Sequence, residues 1–453
     1  MSVLNLDCRH GLAMLPDCSV DAILTDPPYH LVQNSRGGSP QPGDLSTPFG
    51  RSGPSRARGF MGHEWDGGDI AFQVELWREA LRVLKPGGHM LAFSGSRTYH
   101  RMTCAIEDAG FEVRDSIMWV YGSGFPKSLD ISKAIDKIFG AERQVVGQQF
   151  RAATGRDEGY GFGESFDITA PATLAAQIWE GWGTGLKPAH EPICVARKPM
   201  AADTVAANIL AHGVGGINID GCRVPIDPVA DASQLRTMRV SQHDGADGWG
   251  MNTTRANPTA RVLGMEGRWP ANFIHDGSPE VLALFPETAP SKSGGKSGSA
   301  KKLERGGFDD AGSAARFFQQ CHWTQEDLEA ALFYYCAKAS KRDKDEGLGE
   351  EFAERAGSAN LRQNGGLSKA KTEFKLRNQH PTVKPTELMR YLCRLVTPPG
   401  GLIVDPFAGS GSTGKAATLE GFQFIGFELD PQYAAIANAR LEAARNSYGN
   451  RQS

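Results

Sequence analysis

The chain has 453 residues, 40% hydrophobic and 22% charged, enough for one large core and a second module. No apolar run is long enough to span a bilayer, and MSVLNLDCRHGL has neither the basic start nor the apolar core of a signal peptide, so a soluble, cytoplasmic protein is expected. The formal net charge of −3 rules out phosphate binding by a globally basic surface, and the eight cysteines lack any CxxC or Cys/His ligand spacing, which predicts reduced thiols and no metal.

In chain order, the first informative element is VDAILT over 20–25, a short buried-strand run that ends in Asp26-Pro27-Pro28-Tyr29. Residues 31–70 are rich in Gly, Ser, Pro and Arg and read as a mobile loop. LWREALRVL (76–84) has helical apolar spacing, stops at Lys85-Pro86-Gly87-Gly88, and precedes the strand-like HMLAF. FEVRDSIMWVY (111–121) continues the alternation, 141–185 reads as an insertion, and HEPICVARKP (190–199) is again strand-like. Residues 201–379 mix short elements such as INIDGCRV and WPANFIHDG with flexible basic stretches.

The last 55 residues repeat the strand-helix grammar: GLIVDPF, GSTGKAATLEG, FQFIGFELD, then the helical PQYAAIANARLEAAR. Open α/β sheets place their chemistry at the carboxyl ends of strands, and both Asp26 and Asp405 stand there.

Gly409-Ser410-Gly411-Ser412-Thr413-Gly414-Lys415 follows a strand and opens a helix, and Glu428 closes the next strand 19 residues after Gly409. Such a loop lets backbone approach a nucleotide while the acid bonds ribose hydroxyls, as in nicotinamide or flavin sites. It nearly matches a phosphate-binding P-loop too, but Ala416 stands where a triphosphatase needs Ser or Thr for magnesium. Asp405-Pro406-Phe407 favours a third reading, S-adenosylmethionine, whose ammonium needs a carboxylate and which has no pyrophosphate.

The tetrapeptide at 26–29 has a chemistry of its own. An aromatic amine is a poor nucleophile because its lone pair is delocalised into the ring. Hydrogen bonds to the Asp26 carboxylate and the Pro27 carbonyl would favour a pyramidal nitrogen and stabilise the charge that develops on attack. Two prolines hold that carbonyl rigid, and Tyr29 would stack on a base lifted out of the duplex.

DPPY near the start and DPFAGSGSTG near the end together resemble the β class of DNA amino-methyltransferases, the N4-cytosine/N6-adenine family of bacteria and prophages. The resemblance implies one permuted Rossmann-like α/β sheet in which the two terminal segments meet, with 1–200 and 380–453 catalytic and 201–379 a target recognition region. It implies S-adenosylmethionine as cofactor, double-stranded DNA as partner, and a homodimer. It places catalysis on Asp26, Pro27, Pro28 and Tyr29. Cofactor binding falls to Asp405, Pro406, Phe407, Gly409, Gly411, Ser412, Thr413 and Glu428, with Asp7 near the adenine. His380-Pro381-Thr382-Val383-Lys384-Pro385 resembles the segment that closes over the cofactor, with Thr382 and Lys384 as contacts. Trp119 matches an aromatic near the target base, although a core tryptophan is the better reading. Asp at the first position of the tetrapeptide, rather than Ser, points to adenine N6 within this family. Lys292, Lys296, Lys301, Lys302 and Arg305 form one basic stretch, and Lys369, Lys371, Lys375 and Arg377 another; each suits phosphate contacts or a solvated linker equally.

Overall fold

A strand covered on both faces shows an unbroken apolar run rather than alternation. Val20–Thr25 is such a strand, buried along its whole length. It lies in a computed structural model that describes residues 1–30, 69–122, 124, 128–151, 164–225, 267–288, 312–321, 345–348, 354–355, 375–376, 378, 380 and 383–452. The expected loop at 31–70 falls outside the described residues except at its last two positions, as do the basic stretch Lys292 to Arg305, Lys369, Lys371, Arg377 and Thr382.

Among the described residues nine strands form one sheet: β1 (Ser2–Asn5), β2 (Val20–Thr25), β3 (Leu84–Phe93), β4 (Glu112–Val120), β5 (His190–Arg197), β6 (Phe273–His275), β7 (Gln319–Gln320), β8 (Leu402–Asp405) and β9 (Gln423–Glu428). Their order is β1-β9-β8-β2-β3-β5-β4-β6-β7. β5 pairs antiparallel with both its neighbours, and the other pairings in this sheet are parallel. Ser2 pairs with Ile425 and Ile403 with Ala22, so the segments at 2–25 and 402–428 share one sheet as expected.

Side chains alternate along each strand and divide the core in two. Ala22, Leu24, Leu91, Phe93, Ile193 and Ile403 face helices α4 (Thr386–Val396), α5 (Ser412–Leu419) and α6 (Pro431–Gln452). Ile23, Met90, Ala92, Cys194 and Val404 face α1 (Cys8–Ala13), α2 (Val74–Val83) and α3 (Tyr99–Asp108). The result is a helix-sheet-helix sandwich, with residues such as Trp77 and Phe424 at its centre. Each full burial of a large apolar side chain stabilises by roughly 1.5–3 kcal/mol. Trp77 also keeps its indole bonded, donating to the Ala71 carbonyl at 2.9 Å. Asp21, the one acid within β2, accepts from Lys85 Nζ at 2.6 Å and from the Leu402 amide at 2.7 Å.

Three local readings shift. Lys85 to Gly88, expected as a break, lie inside β3, where the register against β2 jumps between Val20 and Ala22 and Gly87 takes φ +82°. α6 runs past the apolar pattern to Gln452. Within 201–379, β6 and β7 extend the main sheet beyond β4, so part of that segment is joined to the sandwich. The insertion at 141–185 contains an antiparallel hairpin, 145–151 with 164–169. Trp119 is buried in the core against Tyr121. Cys8, Cys194, Cys222, Cys321 and Cys393 are buried free thiols, and Cys18 and Cys104 are exposed. Among the described residues no helix is long and apolar enough to cross a membrane, and none of their His, Cys, Asp and Glu side chains cluster as a metal site.

Candidate active site

The sheet changes direction of growth between β8 and β2. From β8 the chain passes through α5 to β9 on one side, and from β2 through α2 to β3 on the other. Loops leaving adjacent strands at such a point diverge and open a crevice at the carboxyl edge. The loop after β2 is Asp26 to Tyr29, and the loop after β8 starts at Asp405.

In the first loop the Tyr29 hydroxyl lies 2.7 Å from Asp26 Oδ1 and the ring packs against the core. Pro27 is buried, and His30 turns the chain away at φ +54°, a left-handed conformation uncommon outside glycine. Lys384, in the turn before α4, donates to Asp26 Oδ2 and lies 3.1 Å from the Tyr29 oxygen. Glu191 Oε2 completes the group, 3.1 Å from the Tyr29 oxygen and 3.4 Å from Lys384 Nζ. Burial works to lower the Lys384 pKa, but the Asp26 and Glu191 carboxylates outweigh it and hold the ammonium above its ordinary value. Burial and the same two carboxylates push the Tyr29 phenol well above its usual range, so it stays protonated.

The second loop is built on shape. Gly409 takes φ +51° and Gly411 φ +80°, conformations that favour glycine. A Cβ on Gly409 would come within 2.9 Å of His380 Nε2, and one on Gly411 within 3.0 Å of the Ala437 Cα. Those distances show that the loop is packed directly against His380 and α6, with no room for a side chain at either glycine. Arg440, fully buried on α6, clamps the loop by donating to the Ser410 carbonyl at 2.7 Å. Asp405 Oδ1 accepts from the Thr25 hydroxyl at 2.7 Å and the Phe407 amide at 3.0 Å, and Oδ2 from the Thr413 hydroxyl at 2.6 Å. Burial outweighs these bonds and raises the Asp405 carboxyl to about 6. Because Thr25 immediately precedes Asp26, this bond ties the two loops together. Glu428 accepts from the Gly409 and Asp430 amides, each at 2.8 Å, and burial raises its pKa.

The structure therefore brings Asp26, Tyr29 and Lys384 into one contact group, and on the neighbouring loop pairs Asp405 with Thr413 and Gly409 with Glu428. Pro406 is buried, Phe407 is half-buried against the other core face, and Ser412 begins α5. Asp7 stands at the end of β1, beside β9, where it caps α1 through the Arg9 amide at 2.9 Å and pairs with the Arg9 guanidinium. That pairing lowers its carboxyl to about 2. Lys415 of the P-loop-like match is buried and paired with Glu346 at 2.6 Å. Sequence reasoning missed Glu191, Thr25 and Arg440. The available signal for Glu191 was an acid at the mouth of the apolar run PICVA.

Comparison with known proteins adds the following. A family model described as DNA methylase (N6_N4_Mtase) matches residues 20–439. The type II methyltransferase M2.DpnII of Streptococcus pneumoniae is 45% identical over 65 residues, 14% of this chain and 24% of that protein. The DNA adenine methyltransferase YhdJ of Escherichia coli is 40% identical over 65 residues, 14% of this chain and 22% of that protein. The matched stretch thus spans about a quarter of the length of these curated relatives. Among solved structures, the cytosine-N4-specific PvuII DNA methyltransferase aligns at 12% identity and a TM-score of 0.38, covering 99% of this chain and 93% of that one. TTHA0409 of Thermus thermophilus, solved with S-adenosyl-L-methionine, aligns at 14% identity and a TM-score of 0.37, covering 98% and 94%.

Proposed function

Because this chain belongs to the N6/N4 DNA methylase family, we propose that it methylates the exocyclic amino group of a base turned out of duplex DNA, and that the base is adenine. The observation that carries the reading is the union of two loops at one crevice. Asp26 to Tyr29 and Asp405 to Gly411 leave neighbouring parallel strands and are joined through the Thr25 hydroxyl.

The second loop fits S-adenosylmethionine. Its glycines hold the backbone in left-handed turns at the carboxyl end of β8, and two acids, Asp405 and Glu428, stand at the ends of adjacent strands. Asp405 would hold the methionine ammonium: a carboxylate has about four acceptor positions, and three are used. Glu428 would take the ribose hydroxyls and Asp7 would lie near the adenine, with Phe407, Gly409, Gly411, Ser412 and Thr413 forming the walls. When bound, the cofactor supplies an electrophilic methyl group on a sulfonium centre.

The protein's own work falls on the amine. Asp26 and the Pro27 carbonyl accept hydrogen bonds from the amino group and so direct its lone pair outward. The nitrogen gains a positive charge on attack and must then lose a proton, for which Asp26 is the adjacent acceptor. The Tyr29 ring, held against the core, would stack on the extruded base. Asp rather than Ser at position 26 supports adenine, as does the similarity to YhdJ, a DNA adenine methyltransferase. Recognition of the target sequence by 201–379 and pairing of two copies belong to the same proposal.

The test is to express the chain in a methylation-free host, digest the DNA to nucleosides and weigh them. N6-methyladenine is the expected product. Methylcytosine without methyladenine would replace the base and keep the amine chemistry, whereas unmodified DNA would remove the reading.

A further inference from the structure

Glu191 and Lys384 reach the catalytic loop from opposite parts of the chain, one from the mouth of β5 and the other from the turn before α4. Both are withdrawn from water: their side chains are 11% and 3% exposed. The Lys384 ammonium bonds Asp26, lies near the Tyr29 and Glu191 oxygens, and has the Phe93 ring 4.8 Å away.

A cation is the wrong neighbour for a nitrogen that turns positive as it reacts. Asp26 and Lys384 alone sum to zero, so the ammonium would cancel much of what Asp26 offers to the amine. Glu191 changes that sum to −1. Lys384 in turn has a purpose, because two carboxylates sharing one hydroxyl group would otherwise repel each other. The three charges make sense only together, and Glu191 need not touch the base.

We propose that Glu191 is a positioning residue for methyl transfer: it neutralises Lys384 so that Asp26 meets the target amine as a net anion, and it shares the Tyr29 hydroxyl that sets the ring. This rests on the amine-methylation reading above. It also assigns Lys384 to the catalytic carboxylate.

The experiment compares the full chain with Glu191→Gln, Lys384→Met and the double variant, measuring kcat and KM on duplex DNA, cofactor Kd by calorimetry, and thermal melting. Glu191→Gln should lower kcat about 100-fold and leave the cofactor Kd within about twofold. The double variant removes the cation as well as its counter-charge and should recover about tenfold over Glu191→Gln. A role confined to holding the strand predicts the opposite, with the double variant worse than either single one. That result, full activity in Glu191→Gln, or loss of cofactor binding by a folded Glu191→Gln would each overturn the proposal.

Should Glu191→Gln fail to fold, Glu191→Asp decides. It keeps the negative charge beside Lys384 and should hold kcat within about tenfold of the wild type with the cofactor Kd unchanged, whereas a folded Glu191→Asp that has lost kcat about 100-fold or more would overturn the proposal. A wild-type chain that methylates no DNA defeats the underlying reading instead, a result distinct from an active enzyme indifferent to Glu191.

Discussion

The two loops at the crevice sit on adjacent strands yet are held in opposite ways. Asp26 to Tyr29 is fixed by side-chain charge, with one buried ammonium serving two carboxylates around a shared hydroxyl. Asp405 to Gly411 is fixed largely by missing side-chain volume, with glycines in left-handed conformations pressed against α6 and His380. A charge-held loop can lose its chemistry and keep its shape. A shape-held loop loses its shape to any added carbon, whatever the charge.

The sharpest way to break this comparison is Asp26→Ala. It should lower methyl transfer by about 10³-fold or more and leave the cofactor Kd nearly unchanged, with a lower melting temperature because the buried Lys384 ammonium keeps only Glu191. If calorimetry found cofactor binding abolished, the two loops would not be separable. Gly411→Ala is the counterpart. The added Cβ meets helix backbone at 3.0 Å and the residue must keep φ +80°. The expected outcome is a cofactor Kd raised about tenfold or more and a stability loss of roughly 1–3 kcal/mol, with no change in net charge. Unaltered affinity and melting would show that the packing of the loop against α6 yields.

A smaller effect concerns the one strong acid-base feature of the shape-held loop. Asp405, raised to about 6, is largely protonated below that pH. If its ionised form holds the cofactor ammonium, affinity should rise with pH up to about 6 and flatten above, by at most about tenfold per unit for one proton. Titration calorimetry from pH 5 to 8 would reveal the slope, and Asp405→Asn should remove it; a flat wild-type profile would free Asp405 from that role. Asp7 sets the lower bound. Its folded pKa, about 2, lies below the unfolded value, so its stabilisation is present above about pH 4 and fades as pH falls toward 2. Asp7→Ala should cost about 1 kcal/mol near neutrality, mostly the lost helix cap, because the Arg9 pair is exposed. A loss several times larger, read by denaturant melts, would mean that Asp7 does more than cap α1.

What the sequence revealed and what it hid divide along similar lines. The loop residues Asp26, Asp405, Gly409 and Glu428 were legible because each is fixed by a strand it directly ends or follows, and strand runs show in local pattern. Glu191 was not, because β5 runs against its neighbours. Antiparallel pairing puts the start of that strand level with the ends of the parallel ones, and a direction of pairing leaves no local trace. Arg440 was hidden for a related reason, since its target is a carbonyl 30 residues back. Lys384 was legible as a site residue, but not its partner, because only the packing of α4 against the sheet brings it to Asp26. The glycines of Lys85 to Gly88 suggested a stop where the chain merely kinks within a strand.

The bond from Thr25 to Asp405 joins residues 380 positions apart, and although β2 can pair early with β3, its other edge is covered only by β8. At synthesis rates of roughly 5–20 residues per second, the strand that carries the catalytic turn waits about 20–75 s for that neighbour. During this interval one edge of a strand that is wholly buried in the finished fold is available to other chains in the cell. Yield of active protein should therefore respond to translation speed and to chaperone supply more than the stability of the finished sandwich would suggest.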